Sequence, residues 1–313
     1  YYQAGILKFS VRTGNDDIRY TISKSSINNT YSISNISVAS NILVDINNIP
    51  VVDEDGRYVV IENQPTPSLP SVGLWYDLFN ATSHHVTSPI IISAISNVNN
   101  ELPDFTGGWY LKTDNSITSE LVSTVLIIDG VDRTNDTVVS LATVNRIEFE
   151  IVNNIMGYNT RYDNRYILQE TIRYIIVNGI IELEVQLRAL EDLVIENYHG
   201  LELLINGTGW NETILLRDCD SKLVDFMDDI FSNDRYDGIV ERVSQYGDYQ
   251  LDSWIDSGVD LGRRDYVADD RPTVFTSYDN MKLYYNLVDG IDLEMTTNDV
   301  VAWRGGLKLK PIR

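Results

Sequence analysis

Cysteine, histidine and positive charge are all scarce in this chain of 313 residues. The single cysteine, Cys219, excludes an intrachain disulfide, and with only three histidines the chain is a poor candidate for a zinc site or a cysteine nucleophile. Lysine and arginine number 24 against 46 acidic residues, so a net charge of −22 repels phosphate backbones and anionic lipids. No apolar run approaches the roughly 20 residues of a transmembrane helix. We expect no nucleic-acid partner, no membrane insertion and no metal or other cofactor, with a loop calcium ion as the one alternative.

The first sixty residues favour short β-strands separated by turns. Apolar and β-branched residues recur in segments 4–13, 17–25 and 30–40, and again in 41–48 and 57–63. The sequence NQPTPSLPS follows, and its three prolines cannot donate hydrogen bonds to a sheet. We therefore predict a small N-terminal β module over residues 1–63, a proline-rich linker over 64–72 and a larger domain over 73–313.

A long hairpin is the strongest local pattern. Asn178 and Gly179 supply the two positive φ angles of a type I′ turn. After this turn apolar and polar residues alternate through IIELEVQL, which predicts a strand with one buried and one solvated face. We expect the segments before and after the hairpin, 145–153 and 190–206, to extend the same antiparallel sheet.

Only the segment 220–233 has a convincing helical pattern, with apolar residues on one face and Asp220 or Ser221 as the N-cap. The chain then returns to β, with a hairpin over 273–288 and a final strand over 299–312. Long antiparallel strands without crossover helices predict an all-β fold. We expect a large antiparallel β-sandwich, supersandwich-like, preceded by the smaller β module and containing one short helix.

Two stretches carry a family resemblance. The segment YDNRYILQETIRYIIVNGIIELEVQLRALEDLVIENYHGLELL and the closing DVVAWRGGLKLKPI resemble the C-terminal β-sandwich of bacteriophage tail fibre and tailspike receptor-binding proteins. That sandwich is similar in outline to the supersandwich of mutarotases and polysaccharide lyases. The resemblance extends over residues 74–313 and implies contact with bacterial surface polysaccharide or another glycan, in a virion tail or on an extracellular surface. Because the chain starts at Tyr1 without methionine or leader, we expect it to be part of a longer protein.

Exposed aromatic rings beside polar groups are the first candidates for glycan binding, because the C–H face of a sugar stacks on a ring while its hydroxyls form hydrogen bonds. Core packing is the alternative for each ring. His84 and His85 point to opposite faces of an extended chain, so at most one of them serves a single site. The candidate glycan-binding residues are Trp75, Tyr76, Asp77, His84, His85, Trp109, Tyr110 and Tyr158.

A second cluster of tyrosines and arginines lies in the segment 156–168. A lyase that acts on an acidic polysaccharide needs a cation near the uronate carboxylate and a tyrosine or histidine to move the proton. Arg161, Tyr162 and His199 have these chemical types and are the candidate catalytic residues. A solvated loop, whose arginines pair with nearby carboxylates, is the alternative.

Three functions follow from these patterns. We favour a non-enzymatic adhesion module that binds glycans as a homo-oligomer, since several weak sites then act together. A polysaccharide lyase or hydrolase, that is a depolymerase, is the second. A purely structural virion protein that only packs against its neighbours is the third.

Overall fold

A computed structural model describes residues 1–13, 16–25, 30–39, 76–80, 89–96, 101–108, 110–141, 143–204, 210–217, 222–225, 238–244, 249–277 and 282–311. The strands of the first half are β1 (Tyr2–Gln3), β2 (Ile6–Thr13), β3 (Asp16–Lys24), β4 (Tyr31–Ala39), β5 (Tyr76–Asn80), β6 (Ile90–Ala94), β7 (Ser119–Ile128), β8 (Val131–Asp132), β9 (Val138–Val139) and β10 (Arg146–Met156).

The strands of the second half are β11 (Tyr166–Val177), β12 (Ile180–Ala189), β13 (Leu193–Leu204), β14 (Trp210–Arg217), β15 (Lys222–Asp225), β16 (Ile239–Ser244), β17 (Tyr249–Ile255), β18 (Tyr266–Val267), β19 (Val274–Ser277), β20 (Lys282–Met295) and β21 (Val300–Pro311). Two single turns of 3₁₀ helix, Arg161–Asp163 and Asp260–Arg263, interrupt them.

The strands form three sheets. The largest has ten strands in the order β15-β14-β16-β17-β21-β12-β11-β10-β7-β8. A six-stranded sheet has the order β5-β4-β3-β2-β1-β9, and a five-stranded sheet runs β18-β20-β13-β6 with β19 also paired to β20. Between the described strands every pairing is antiparallel except that of β18 with β20. The prediction of an all-β fold built from a large antiparallel sandwich is confirmed.

The central hairpin of the ten-stranded sheet has the predicted geometry. Asn178 and Gly179 have φ angles of 51° and 80°, and Val177 pairs with Ile180 across the turn. Alternate residues of β12 are buried, and the polar residues between them face outward. On that outer face Arg173 of β11 pairs with Glu148 and Glu184, on the strands to either side.

Both smaller sheets pack on the other, apolar face of the ten-stranded sheet. Phe149 of β10 contacts Tyr31 of the six-stranded sheet edge to face, with ring centroids 5.2 Å apart. Toward the other end of the same face, Trp303 of β21 donates its Nε1–H to the hydroxyl of Tyr198 in the five-stranded sheet, at 2.9 Å. Buried residues of all three sheets form one hydrophobic cluster.

The first three predicted strands of the N-terminal module are present as β2, β3 and β4. Their sheet also contains β5, which pairs with β4, and β9, which pairs with β1. Two of its strands therefore come from beyond the predicted linker. The linker itself and the expected strands at 41–48 and 57–63 lie outside the described residues, and the division into 1–63 and 73–313 stays a prediction.

One predicted pairing is wrong. The segment 145–153 does extend the sheet, because β10 pairs with β11. The segment 190–206 does not, because β13 belongs to the five-stranded sheet and the strand beside β12 is β21. Residues 190–192 carry the chain across the core, and buried Leu193, Ile195 and Tyr198 then face the ten-stranded sheet. Burial of an apolar face between two sheets outweighs pairing with the nearest strand in sequence.

The predicted helix over 220–233 is also wrong where the chain is described. Lys222–Asp225 is strand β15, in register with β14 through the pairs Leu215↔Leu223 and Thr213↔Asp225. Pairing with a neighbouring strand overrides a weak local helical pattern. Residues 226–233 lie outside the described part of the chain. Among the described residues no helix has the length and apolar character that crossing a membrane requires.

Candidate functional site

The candidate site lies on the outer face of the five-stranded sheet. Strand β13 carries several irregularities in its pairing with β20, one between Tyr198 and His199 and one between His199 and Glu202. Tyr198 points inward to Trp303, whereas the ring of His199 packs against Phe275 and Tyr284 on the outer face. Gly200 then permits close packing, since a Cβ atom there would lie 2.5 Å from Leu287 Cδ1. This local irregularity orients His199 and Glu202 away from the core.

Aromatic rings surround His199, and together we call them the aromatic cluster: Phe105, Tyr110, His199, Phe275 and Tyr284. The centroid of the His199 ring lies 4.9 Å from that of Tyr284 and 5.4 Å from that of Phe275, which themselves stack at 4.8 Å. Phe105 lies 6.0 Å from His199 and 5.0 Å from Tyr110. His199 is only 7% exposed, whereas Tyr110 is 36% exposed. The cluster therefore runs from a buried imidazole to a ring at the surface.

Strand pairing and one loop bring these residues together. Phe275 of β19 pairs with Tyr284 of β20, so the two rings lie side by side on one face. Phe105 and Tyr110 belong to the loop after β6, which is tied to the edge of the sheet by the bridge between Ile90 and Thr106. The loop turns at Gly107 and Gly108, whose φ angles of 70° and 47° agree with the loop predicted there.

Carboxylates lie beside the exposed ring. Burial raises the pKa of the Tyr110 hydroxyl, and the negative charges of Glu202 and Asp104 raise it further. Glu202 is 2% exposed, so its carboxylate belongs to the floor of the site, whereas the Asp104 side chain is half exposed at the rim. An apolar ring flanked by hydrogen-bond acceptors is the arrangement that binds a sugar face and its hydroxyls.

Arg161 is held by acidic partners. Its Nη1 donates to Asp104 Oδ2 at 2.6 Å, and its Nε lies 3.6 Å from Glu101 Oε2. Asp104 adjoins Phe105 in sequence, so the pair links the predicted catalytic arginine to the aromatic cluster around His199. Tyr162 lies outside Arg161, with the guanidinium carbon 5.2 Å from its ring centroid, and its hydroxyl lies 3.2 Å from Thr113 Oγ1. The catalytic roles of Arg161, Tyr162 and His199 stay predictions.

The other candidates that the structure describes are dispersed. Tyr158 donates its hydroxyl to Glu196 Oε1 at 2.9 Å, and Glu196 also accepts from Ser93, so this tyrosine is engaged elsewhere on the five-stranded sheet. Tyr76 and Asp77 begin β5, at the edge of the six-stranded sheet. Trp75, His84, His85 and Trp109 lie outside the described residues, and their roles stay predictions.

Five residues of this site are absent from the sequence-based candidates: Asp104, Phe105, Glu202, Phe275 and Tyr284. The hairpin predicted over 273–288 could have indicated that Phe275 and Tyr284 lie close together, because it places them on neighbouring strands. The approach of Phe105 to His199 spans more than ninety positions of the sequence and has no local signal. Among the described residues no group of three or more His, Cys, Asp and Glu side chains is placed to hold a metal ion, and the expectation about cofactors stays a prediction.

Comparison with known proteins finds no matching family model and no matching curated protein. Solved structures that match this chain include the galactosidase domain of an α-galactosidase–sucrose kinase, with 9% identity and a TM-score of 0.47 over 98% of this chain. A GH36 α-galactosidase from Geobacillus stearothermophilus has 10% identity and a TM-score of 0.45 over 99% of this chain. This chain spans 40% of each of those two structures.

Galactose 1-epimerase from Lactobacillus acidophilus has 8% identity and a TM-score of 0.32, with 98% of both chains covered. These neighbours are carbohydrate-active proteins, but similarity at this level carries no argument about the activity of this chain. The function is therefore argued from its own residues, and the resemblance to phage tail proteins stays an expectation.

Proposed function

We propose that this chain is a glycan-binding module and that the aromatic cluster is its binding surface. The observation that carries the proposal is the exposed ring of Tyr110, which packs on Phe105 beside the carboxylates of Asp104 and Glu202. Stacking on such a ring is weak by itself and gains specificity from acceptors placed for the sugar hydroxyls. The buried His199 adds a polar group to the floor of the same surface.

The charges at this surface favour uncharged glycans. Asp104 and Glu202 lie near Tyr110, and Arg161 pairs with Asp104 and Glu101. Lys112 is buried, and its ammonium group donates to Asn164. The net charge of −22 adds long-range repulsion of polyanions. A lyase for acidic polysaccharides needs a cation that can neutralise a uronate. The acidic partners of Arg161 therefore support binding over that reaction.

The proposal is tested by retention of the purified chain on a panel of neutral and acidic bacterial polysaccharides, with assays for new reducing and unsaturated ends. We expect retention on a neutral glycan without cleavage, and Tyr110→Ala to weaken it about tenfold, the effect of one stacked ring. Tyr1→Ala is the matched control, because Tyr1 is also an exposed tyrosine but lies beside the six-stranded sheet. Cleavage would instead indicate a depolymerase, and no retention on any glycan a structural protein.

We further propose that the chain acts in a virion tail or on a cell surface, as a homo-oligomer whose sites act together. The sequence resemblance to phage receptor-binding proteins supports this location and this oligomeric state. Light scattering of the purified chain measures the oligomeric state directly. If the chain is a monomer that binds glycans, the proposed glycan binding stands and the proposed homo-oligomer is wrong.

A further inference from the structure

Asn286 lies beside His199 and is completely buried. Its side-chain Nδ2 donates to the backbone carbonyl of Pro272 at 2.7 Å and to Asp289 Oδ2 at 3.1 Å. Its Oδ1 lies 2.7 Å from Nδ1 of His199. Both amide hydrogens and the amide oxygen of this side chain are therefore engaged in three different directions.

These partners fix which way the amide faces. Rotating the Asn286 side chain by 180° would bring its oxygen against two other acceptors, the Pro272 carbonyl and Asp289, in place of two hydrogen bonds. Burial makes that exchange costly, since no water replaces the lost bonds. The oxygen of Asn286 is therefore the atom that faces the imidazole.

The orientation of the amide determines the proton position on the imidazole. An amide oxygen only accepts hydrogen bonds, so His199 Nδ1 must carry the proton that it donates to Asn286. In the neutral ring the other nitrogen, Nε2, then has the lone pair and acts as an acceptor. An isolated neutral histidine side chain favours the other tautomer, in which Nε2 carries the proton.

Further bonds hold the backbone of Asn286 in place. Buried Arg264 donates Nη1–H to the backbone carbonyl oxygen of Asn286 at 2.6 Å. The backbone N–H of Asn286 donates to the carbonyl of Thr273 at 2.9 Å. Asp289, the acceptor for its amide, has Arg271 Nε at 3.9 Å. A side chain so constrained can determine the orientation of the ring that it contacts.

We propose that Asn286 is a positioning residue, which holds neutral His199 as the Nδ1–H tautomer and thereby makes Nε2 a hydrogen-bond acceptor within the aromatic cluster. This inference rests on the proposed function for its consequence: a ligand group that reaches Nε2 must be a donor, such as a sugar hydroxyl or the N–H of an acetamido group.

The tautomer can be read directly by nitrogen NMR of the full chain labelled with ¹⁵N-histidine. The variant His84→Gln/His85→Gln leaves His199 as the only labelled residue, since the chain has three histidines. At about pH 8, where an ordinary imidazole is neutral, we expect a protonated Nδ1 and an unprotonated Nε2. A protonated Nε2 as the main form would overturn the inference, and this spectrum requires no change at Asn286.

Two further variants in the same background test the role of Asn286. Asn286→Leu keeps the approximate size but removes the acceptor, so we expect the Nε2–H form to become the major one. Asp289→Asn keeps an acceptor for the Asn286 amide, so we expect the Nδ1–H form to persist. An Nδ1–H form that persists in Asn286→Leu would show that another group sets the tautomer.

The outcome is independent of ligand binding, because the spectra are recorded without glycan. If His199 has the expected tautomer but the chain retains no glycan, the proposed function is contradicted and the role of Asn286 stands. If the chain retains a glycan but His199 is protonated on Nε2, the role of Asn286 is contradicted and the proposed function stands.

Discussion

Glu170 is a carboxyl group enclosed between the ten-stranded and the five-stranded sheets. It is 1% exposed, and Asn153 on the neighbouring strand donates Nδ2–H to it at 3.3 Å. Burial raises the pKa of Glu170 to about 8, against the small lowering by Asn153. The titratable groups near it, Tyr174 and Tyr198, are buried as well, and their pKa values are raised by burial and by Glu170. The carboxyl group is therefore protonated in the folded protein at neutral pH.

This protonation makes stability depend on pH. The unfolded chain releases the Glu170 proton near pH 4.5, whereas the folded chain keeps it up to about pH 8. The contribution of Glu170 to folding is therefore largest below pH 4.5, and it falls by up to about 1.4 kcal/mol for each pH unit between these values. Glu170→Gln cannot ionise and keeps an acceptor for Asn153. We expect it to gain stability relative to the wild type between pH 5 and 8, with a constant difference above that range.

Denaturant unfolding of both proteins at pH 5 to 9 measures this difference. Glu182→Gln is the control, because it makes the same carboxyl-to-amide change on the solvated face of β12. Parallel pH profiles for the wild type and Glu170→Gln would mean that the carboxyl group has an ordinary pKa.

Among the elements, the β11–β12 hairpin connects the large sheet to the N-terminal one. Gly179 in its turn has a φ angle of 80°, and a Cβ atom there would lie 2.9 Å from Val11 Cγ1 of β2. The turn chemistry was readable from the sequence because Asn-Gly between alternating strands has a local cause. The contact with Val11 was not readable, since it depends on how two sheets meet.

The Val11 contact predicts a difference between two glycine substitutions. Gly130 has a similar φ angle of 78° but no atom within 4 Å of its Cβ position. Gly130→Ala should therefore cost only the strain of the left-handed backbone, about 1–2 kcal/mol. Gly179→Ala should cost about 1–3 kcal/mol more, because the new methyl group also meets Val11. Denaturant unfolding of the two single variants measures both values.

A double variant identifies the source of the extra cost. In Val11→Ala/Gly179→Ala the crowding is removed, so the two changes should not be additive. Strictly additive effects would place the N-terminal sheet away from the hairpin turn.

The wrong predictions for individual strands and for the helix have a common physical cause. The alternation in β12 predicted its buried face correctly, since burial of alternate residues is imprinted on a single strand. The assignment of β13 and the helix over 220–233 failed because each depends on the partner strand, β20 in one case and β14 in the other. For the same reason His199 and Tyr110 could be picked out as candidates, while their meeting through Phe105 could not.

The arrangement of the three sheets bears on whether the chain unfolds in one step. A boundary at 64–72 predicts an N-terminal module that could unfold separately, yet the six-stranded sheet shares a hydrophobic cluster with the ten-stranded one. Phe149 contributes to both, through Tyr2 at 6.5 Å and Tyr31 at 5.2 Å, and Tyr20 accepts a hydrogen bond from the backbone of Leu309. Such a shared core couples the stability of the two sheets.

We therefore expect amide hydrogens of β3 and β12 to exchange through the same global opening, with similar free energies in native-state hydrogen exchange. Phe149→Ala should lower both by about 3–5 kcal/mol, because its ring is buried between the two sheets. If β3 exchanged at much lower free energy than β12, and Phe149→Ala changed only one of them, the N-terminal sheet would be an independent unit. The N-terminal sheet would then be stabilised by its own core, and this result would favour the predicted boundary at 64–72 over joint unfolding through the shared cluster.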